Sequence, residues 1–233
     1  MTPIAIQTLD RPEYFIKTLS SLERSGTFKQ CSNVHIFDCG SSRDELARIE
    51  DLCLAYNLEL HKYYDGKLSL NEGVERIDTI LGEDFLRVED DVLVCKNWYL
   101  YPNVIMNVLG DWDLINLYSV DSWHMLKETG INNIHRKGYA CHYGICLMAF
   151  RHGIVKNINN CAEKNNVPFD IAMSLECGWY EEDDEKKGTG SNTLCVHVPS
   201  LAQHIGNESK VGAPFHEAPD FVGEDFNVLE LLN

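Results

Sequence analysis

Three consecutive acidic residues, Glu89, Asp90 and Asp91, follow the apolar run FLRV and are well placed for chemistry. Adjacent carboxylates raise each other's pKa unless they share a cation. Oxygen ligands favour magnesium or manganese, which proteins often hold with one or two carboxylates plus substrate phosphates. A bare EDD triplet is more often a solvated turn. Because this triplet ends a predicted strand, we interpret it as a metal site.

Basic and polar residues elsewhere could complete such a site. Thr8, Asp10 and Arg11 follow the first apolar run, and Arg76 lies in the segment LNEGVERI. Guanidinium groups suit phosphate oxygens, so Arg11 and Arg76 are candidates to neutralise a diphosphate. On an acidic chain, either arginine could equally form a surface ion pair.

Asp38 ends the apolar run NVHIFDC and precedes Gly40. A carboxylate at a strand end can accept hydrogen bonds from a nucleoside base or ribose, and glycine permits a close approach. A helix N-cap with turn residues is an equally good reading of Asp38.

Alternating strands and helices are predicted to bring these residues together. Apolar runs predict strands over 3–9, 33–39, 57–63 and 85–94, and helical periodicity predicts helices from Pro12, after Ser42 and over 68–81. This order predicts an α/β fold with a mostly parallel sheet flanked by helices. Ligands of such sheets bind beyond the carboxyl ends of the strands, where the polar residues lie.

The second half of the sequence is less regular. It predicts strands over 111–119 and 143–150, helices over 151–165 and 169–178, and renewed order over 193–206. We expect one domain over residues 1–233. Within it, 1–100 form the nucleotide-binding half, 101–212 the acceptor-binding half and 213–233 a tail.

Composition restricts partners and compartment. The net charge of −16 disfavours nucleic acid, because the field of the molecule repels phosphate backbones. Nine cysteines without C-x-x-C spacing argue against a cysteine zinc cluster and favour a reducing compartment. No run of about 18 apolar residues occurs. We therefore expect a cytoplasmic protein with no signal peptide or membrane span.

Four segments in order, TLDRP, FDCGSS, LNEGVERI and FLRVEDDV, resemble the nucleotide-binding half of glycosyltransferases with the GT-A fold. In that family a DxD-like triplet holds a metal against a nucleotide-sugar diphosphate. The resemblance implies Mn²⁺ or Mg²⁺ and a nucleoside-diphosphate sugar, foremost a UDP-sugar. The triplet here is E-D-D, so Asp91 is the expected metal ligand, and Asp90 and Glu89 are expected to contact the donor.

Two later segments extend the resemblance. VPFDIAM resembles the acceptor-side segment in which inverting members place a catalytic aspartate, which implies that Asp170 is the base. VPSLAQHIG resembles the late segment PSL-x-QH-x-G of the N-acetylglucosaminyltransferase IV type, which implies a metal or diphosphate role for His204. Without the resemblance, His204 reads as a core histidine.

The resulting hypothesis is a metal-dependent transfer of sugar to a hydroxyl of a glycan, glycolipid, protein or other acceptor, with inversion by Asp170. A retaining transferase is one alternative. A nucleotidyltransferase is another, although IAIQTLDRPEY lacks the glycines of a phosphate loop and has only Arg11 as a basic residue. A degenerate carbohydrate-binding module is the alternative without activity.

Overall fold

Parallel strands and helices alternate through the first half of the chain. The structure is a computed structural model that describes residues 1–118, 126–128, 133–137, 146–177, 190–207 and 217–232. The strands are β1 (Ile4–Thr8), β2 (Val34–Asp38), β3 (Glu59–His61) and β4 (Phe85–Glu89). The helices between them are α1 (Pro12–Arg24), the short α2 (Thr27–Gln30), α3 (Arg43–Tyr56) and α4 (Leu70–Leu81).

The second half adds shorter elements. In chain order these are β5 (Val92–Val94), α5 (Leu100–Leu109), β6 (Leu114–Asn116), β7 (Leu126–Glu128), β8 (Ile134–Lys137), β9 (Leu147–Phe150), α6 (Ile154–Asn165), α7 (Phe169–Glu176), β10 (Leu194–His197), β11 (Ala202–His204) and a 3₁₀ helix (Val228–Leu232). Nine strands form one sheet in the order β3-β2-β1-β4-β9-β6-β10-β8-β7, and β5 pairs separately with β11. The predicted α/β class is confirmed.

The main sheet has a part in which the strands are parallel and a part in which their directions are mixed. The strands β1 to β4 are parallel to one another where they pair, as the alternation of strands and helices predicts. The second half contributes antiparallel pairings, because β9 runs against both β4 and β6, and β8 runs against both β7 and β10. The strands of the first half are therefore parallel among themselves, whereas the second half is mixed, because β10 runs parallel to β6.

Helices cover both faces of the sheet. Alternate residues of β1 point to opposite faces, so Ile4 and Ile6 pack on one side and Ala5 on the other. The first side is covered by α1, α3 and α5, and the second by α4, α6 and α7. Because both faces are buried, the strands read as nearly continuous apolar runs.

The order in which strands are added to the sheet reverses between β1 and β4. From β1 the chain moves outward through β2 to β3, then returns to place β4 on the other side of β1. The register sets Gln7 opposite Glu89, so the residues after these strands are neighbours. A crevice opens at such a switch point, and ligands of open α/β sheets bind there.

Helix α4 shows how local sequence signals position the elements. Ser69 and Glu72 form a reciprocal capping box at its start, as each side chain accepts a bond from the other's backbone N–H. Gly82 ends the helix in the left-handed region with a φ of 63°. The prediction of a helix over 68–81 agrees closely with these bounds.

The structure differs from the sequence prediction for the strand over 85–94, and it describes part of the tail expected over 213–233. The predicted strand is interrupted by a turn at Asp90 and Asp91, after which β5 pairs with β11 instead of continuing in the main sheet. The described part of the tail packs on the protein, as Val228 is buried and Ser200 N donates to Asp220.

Two further findings bear on cysteines and membranes. The eight described cysteines are free, and all except Cys177 are buried. Among the described residues, none of the helices combines the length and apolar character needed to cross a bilayer.

His197 makes the stability of the fold sensitive to acid. Burial lowers the pKa of His197 from 6.5 to about 4, although the ring donates from Nδ1 to the carbonyl of Pro199. Its Nε2 is buried without a hydrogen-bond partner among the described residues. Between these pH values the unfolded chain binds more protons than the native protein, so acid favours unfolding.

We expect the contribution of His197 to be fully present above pH 6.5 and to be lost as the pH falls toward about 4. The largest effect is roughly 3 kcal/mol. Urea unfolding at a series of pH values should show a smaller acid-dependent loss of stability in His197→Gln than in the wild type. Equal slopes in the two proteins would contradict this assignment.

Candidate active site at the ends of strands β1 and β4

Asp90 faces inward and fastens the turn after β4 to the end of β1. Its side chain is fully buried, and Oδ2 accepts hydrogen bonds from Thr8 Oγ1 at 2.7 Å and Leu9 N at 3.3 Å. Thr18 Oγ1 donates to the Asp90 carbonyl at 2.8 Å and accepts from Val92 N at 2.9 Å. Three segments distant in sequence are thus joined at one turn.

Arg11 lies across the two aspartates. One guanidinium nitrogen donates to Asp90 Oδ1, and the other donates to Asp91 Oδ2 at 2.5 Å. The Arg11 side chain is 17% exposed, and the Asp90 and Asp91 side chains are almost wholly buried. A buried carboxylate requires such a partner, because an unpaired buried charge is very costly.

Asp91 contacts His204 as well as Arg11. The His204 Nε2 atom lies 3.1 Å from Asp91 Oδ2, and pairing of β5 with β11 sets His204 opposite Val92. Glu89 completes a group of three residues whose possible ligand atoms all lie within 4.8 Å of one another. We call Glu89, Asp91 and His204 the acidic cluster.

The two buried aspartates differ in proton affinity. Burial raises the pKa of Asp90 to about 7, against the opposing charge of Arg11. Burial also acts to raise the pKa of Asp91, but the hydrogen bond from His204 and the charge of Arg11 outweigh it and lower that pKa. Burial acts to lower the pKa of His204, and Asp91 reverses this effect. Asp91 is therefore the more acidic member of the adjacent pair.

Arg87 forms an ion pair with Glu89. Its guanidinium is buried in β4 and donates to Glu89 Oε1 at 2.9 Å and to Gln7 Oε1 at 2.8 Å. No role for Arg87 or Gln7 was predicted from the sequence. An arginine inside the apolar run FLRV was the available signal, because a fully buried arginine almost always pairs with an acid.

The residues of the acidic cluster fit a divalent cation. Asp91 Oδ1 is buried and has no hydrogen-bond partner among the described residues. Two carboxylates and one imidazole suit manganese, since magnesium is seldom bound by nitrogen.

Asp10 and Asp38 lie at the neighbouring ends of β1 and β2. Asp10 accepts from Ser42 N at 2.7 Å and pairs with Lys67 at 2.5 Å. Asp38 is buried and accepts from the backbone N–H groups of Gly40 at 3.0 Å and of Ser41 at 3.1 Å. Both carboxylates therefore shape the loop after β2. Their proposed contact with a nucleotide stays a prediction.

A close approach of two loops explains Gly40. A Cβ atom at this position would lie 1.8 Å from the carbonyl oxygen of Gly66, and the φ of Gly40 is +94°. Any larger residue would separate the loop after β2 from the loop after β3.

The structure does not bring Arg76 to the acidic cluster through its described contacts. The Arg76 guanidinium donates to the carbonyls of Asp38 at 3.0 Å, His61 at 3.2 Å and Lys62 at 2.7 Å. It therefore ties the ends of β2 and β3 together. This geometry does not support the predicted role of Arg76 in neutralising a diphosphate.

Asp170 also lies apart from the acidic cluster in its described contacts. It is in the first turn of α7, where Oδ1 accepts from Ile171 N at 2.9 Å. The adjacent Phe169 packs on Phe150, with ring centroids 6.5 Å apart, and Phe150 pairs with Phe85 at the start of β4. The cluster lies at the other end of β4, so this packing does not support Asp170 as the base.

Gly206 provides a test of the packing around Asp91. A Cβ atom at Gly206 would lie 2.1 Å from Asp91 Oδ2 and 2.9 Å from Asp91 Cγ. We expect Gly206→Ala to lower the free energy of unfolding by about 1–3 kcal/mol, the usual cost of overpacking. Urea denaturation gives this quantity directly.

A double-mutant cycle supplies the control. In an Asp91→Ala background the clashing carboxylate is gone, so adding Gly206→Ala should cost much less than it does in the wild type. An equal cost in both backgrounds would show that the strain lies elsewhere.

Solved structures share this fold at low sequence identity. No protein-family model matches the sequence, and no curated protein matches it. Residues 1–349 of S. aureus TarS with UDP-GlcNAc match with a TM-score of 0.56 and 12% identity over 92% of the chain. The chain spans 62% of that structure.

A second solved structure has a similar length. An active-site mutant of LgtC matches with a TM-score of 0.50 and 14% identity, covering 90% of this chain and 89% of LgtC. The TarS fragment bound to UDP also matches, with a TM-score of 0.54 and 12% identity over 87% of this chain and 60% of the fragment. These likenesses confirm the predicted architecture: the chain has the GT-A fold found in glycosyltransferases.

Proposed function

We propose that the protein is a metal-dependent glycosyltransferase that moves a sugar from a nucleoside-diphosphate sugar, foremost a UDP-sugar, to an acceptor hydroxyl. The observation that carries the proposal is the acidic cluster, which lies at the switch point of a GT-A sheet. A solved structure with this fold holds UDP-GlcNAc, which supports a sugar nucleotide as donor.

The donor set indicates which residues would hold a cation. Glu89, Asp91 and His204 offer two carboxylates and one imidazole, a set that suits Mn²⁺ or, less well, Mg²⁺. When bound, such an ion supplies positive charge that stabilises a departing diphosphate. The carboxylates of the cluster are fixed beforehand, because Arg87 orients Glu89 and Arg11 orients Asp91.

The residues around the cluster have distinct tasks in this proposal. Asp90 is sealed from solvent and holds Arg11 and the end of β1, so we assign it a positioning role. Arg11 keeps part of its side chain exposed beside Asp91 and can face donor phosphate. Asp10 and Asp38 line the adjoining loop, where a nucleoside would extend from the diphosphate.

The stereochemical course and the acceptor are finer points of the proposal. Inversion requires a base opposite the leaving group, and Asp170 was predicted for that task. Its described contacts lie at the other end of β4, so a retaining course deserves equal weight in any product analysis. The acceptor hydroxyl belongs to a glycan, glycolipid, protein or other molecule. Nucleic acid is disfavoured by the net charge of −16.

Ligand-dependent thermal stability tests the proposal. A panel of UDP- and GDP-sugars with and without Mn²⁺ should include one donor that raises the melting temperature only when the metal is present. At 100 times its Kd a ligand contributes about 2.7 kcal/mol, which corresponds to roughly 5–10 °C for a chain of this size. Asp91→Asn should abolish this shift, since the main ionised ligand is lost.

The matched control is Asp51→Asn, which removes a carboxylate from the exposed side of α3. This variant should retain the full shift. If a nucleoside triphosphate stabilises the protein and no nucleotide sugar does, the protein is better explained as a nucleotidyltransferase.

A further inference from the structure

A second group of potential metal ligands lies at the outer edge of the sheet. His35 belongs to β2, and Glu59 and His61 belong to the edge strand β3. The parallel register sets His35 opposite Glu59 and Phe37 opposite His61. Residues two apart in a strand face the same side, so all three side chains converge on one face. We call this group the edge triad.

The spacing of the edge triad matches a tetrahedral ion. His35 Nδ1 lies 3.1 Å from His61 Nε2 and 3.3 Å from Glu59 Oε2, and His61 Nε2 lies 3.5 Å from Glu59 Oε1. Zinc bonds of 2.0–2.1 Å at tetrahedral angles separate neighbouring ligand atoms by roughly 3.4 Å. With one ligand atom taken from each residue, the three atoms all lie within 4.8 Å of one another, so a small movement of the exposed Glu59 side chain would complete three corners of a zinc site.

The outer contacts orient the rings toward the centre of the triad. His35 Nε2 lies 2.7 Å from Asn33 Oδ1, an amide oxygen that can only accept, so Nε2 carries the proton and Nδ1 keeps its lone pair. Such an outer partner is typical of metal-binding histidines. The His61 ring stacks on Phe37 with centroids 4.5 Å apart and planes 18° apart.

Exposure and protonation also suit a ligand site. The side chains of His35 and His61 are 14% and 17% exposed, whereas Glu59 is 63% exposed and open to solvent. An ion can thus enter from the surface and keep a water molecule in its fourth position. Burial lowers the pKa of His61, aided by the charges of His35 and Arg76 and opposed by Glu59, which favours the neutral imidazole that metals require.

We propose that His35, Glu59 and His61 bind a zinc-type divalent ion at the edge of the sheet, independently of the acidic cluster. Two imidazoles and one carboxylate select zinc, cobalt or nickel over magnesium. The bound ion would join the three-residue strand β3 to β2 and stabilise the native protein by mass action.

Zinc binding by the full chain tests this proposal. The chelator-treated protein is titrated with Zn²⁺ against a chromophoric competitor at neutral pH, and Co²⁺ gives the visible absorption of a tetrahedral site. We expect a zinc site that Asp91→Asn leaves intact. Glu59→Gln and His61→Gln should each weaken zinc binding at that site by at least about tenfold. The loss of a metal ligand should weaken binding at least as much as the loss of an outer hydrogen-bond partner of a ligand.

Two further variants sharpen the test. Asn33→Ala removes an exposed side chain that touches only the outer nitrogen of His35, and it should weaken zinc binding by about 10–100-fold. Glu50→Gln is the control, because Glu50 is a partly exposed acid on α3 that pairs with Lys62.

Glu59→Gln keeps the test decisive even if a histidine variant unfolds, because Glu59 is largely exposed. The proposal is overturned if Glu59→Gln binds Zn²⁺ as tightly as the wild type and Glu50→Gln. It is also overturned if Asp91→Asn removes the zinc site, which would place the ion in the acidic cluster.

Discussion

The shared guanidinium of Arg11 is the interaction on which the rest of this site depends. Two adjacent aspartates are buried where β4 ends, and neither could remain there without a cation. Arg11 contacts both and comes from the end of the neighbouring strand β1. The pairing therefore joins the two strand ends at the point where the fold opens its crevice. It also directs Asp91 toward His204 and Asp90 into the protein.

Burial makes the three acids chemically different. The carboxylate oxygens of Asp90 accept hydrogen bonds from Thr8, Leu9 and Arg11, and burial raises the pKa of Asp90 to about 7. Asp91 is kept ionised, and Glu89 is held by an arginine that is itself buried. One triplet thus contains a residue with a positioning role, Asp90, and two candidate metal ligands, Glu89 and Asp91.

The acidic cluster and the edge triad differ in ways that predict different ions. The cluster has two carboxylates for one imidazole and lies at the carboxyl ends of β1 and β4. The edge triad has the opposite ratio and spans β2 and β3 at the border of the sheet. Oxygen-rich sites suit magnesium and manganese, and nitrogen-rich sites suit zinc, so the two sites are expected to differ in the ion that they prefer.

The sequence by itself determined the α/β class, the four strands of the first half with the helices between them, and the acidic triplet directly after the apolar run FLRV. These features follow from local periodicity, from Pro12 at a helix start, and from the rule that polar residues follow buried strands. The helix over 68–81 was predictable because its capping box is a local pattern.

Only the tertiary structure decided how these side chains are used. The strand predicted over 85–94 breaks at Asp90 because Thr8, Thr18 and Arg11 bind the turn, and these partners are about 70–80 residues away. Arg76 binds backbone carbonyls at the ends of β2 and β3, which no local pattern reveals. Side-chain partners depend on which strands become neighbours, and this depends on the packing of the whole chain.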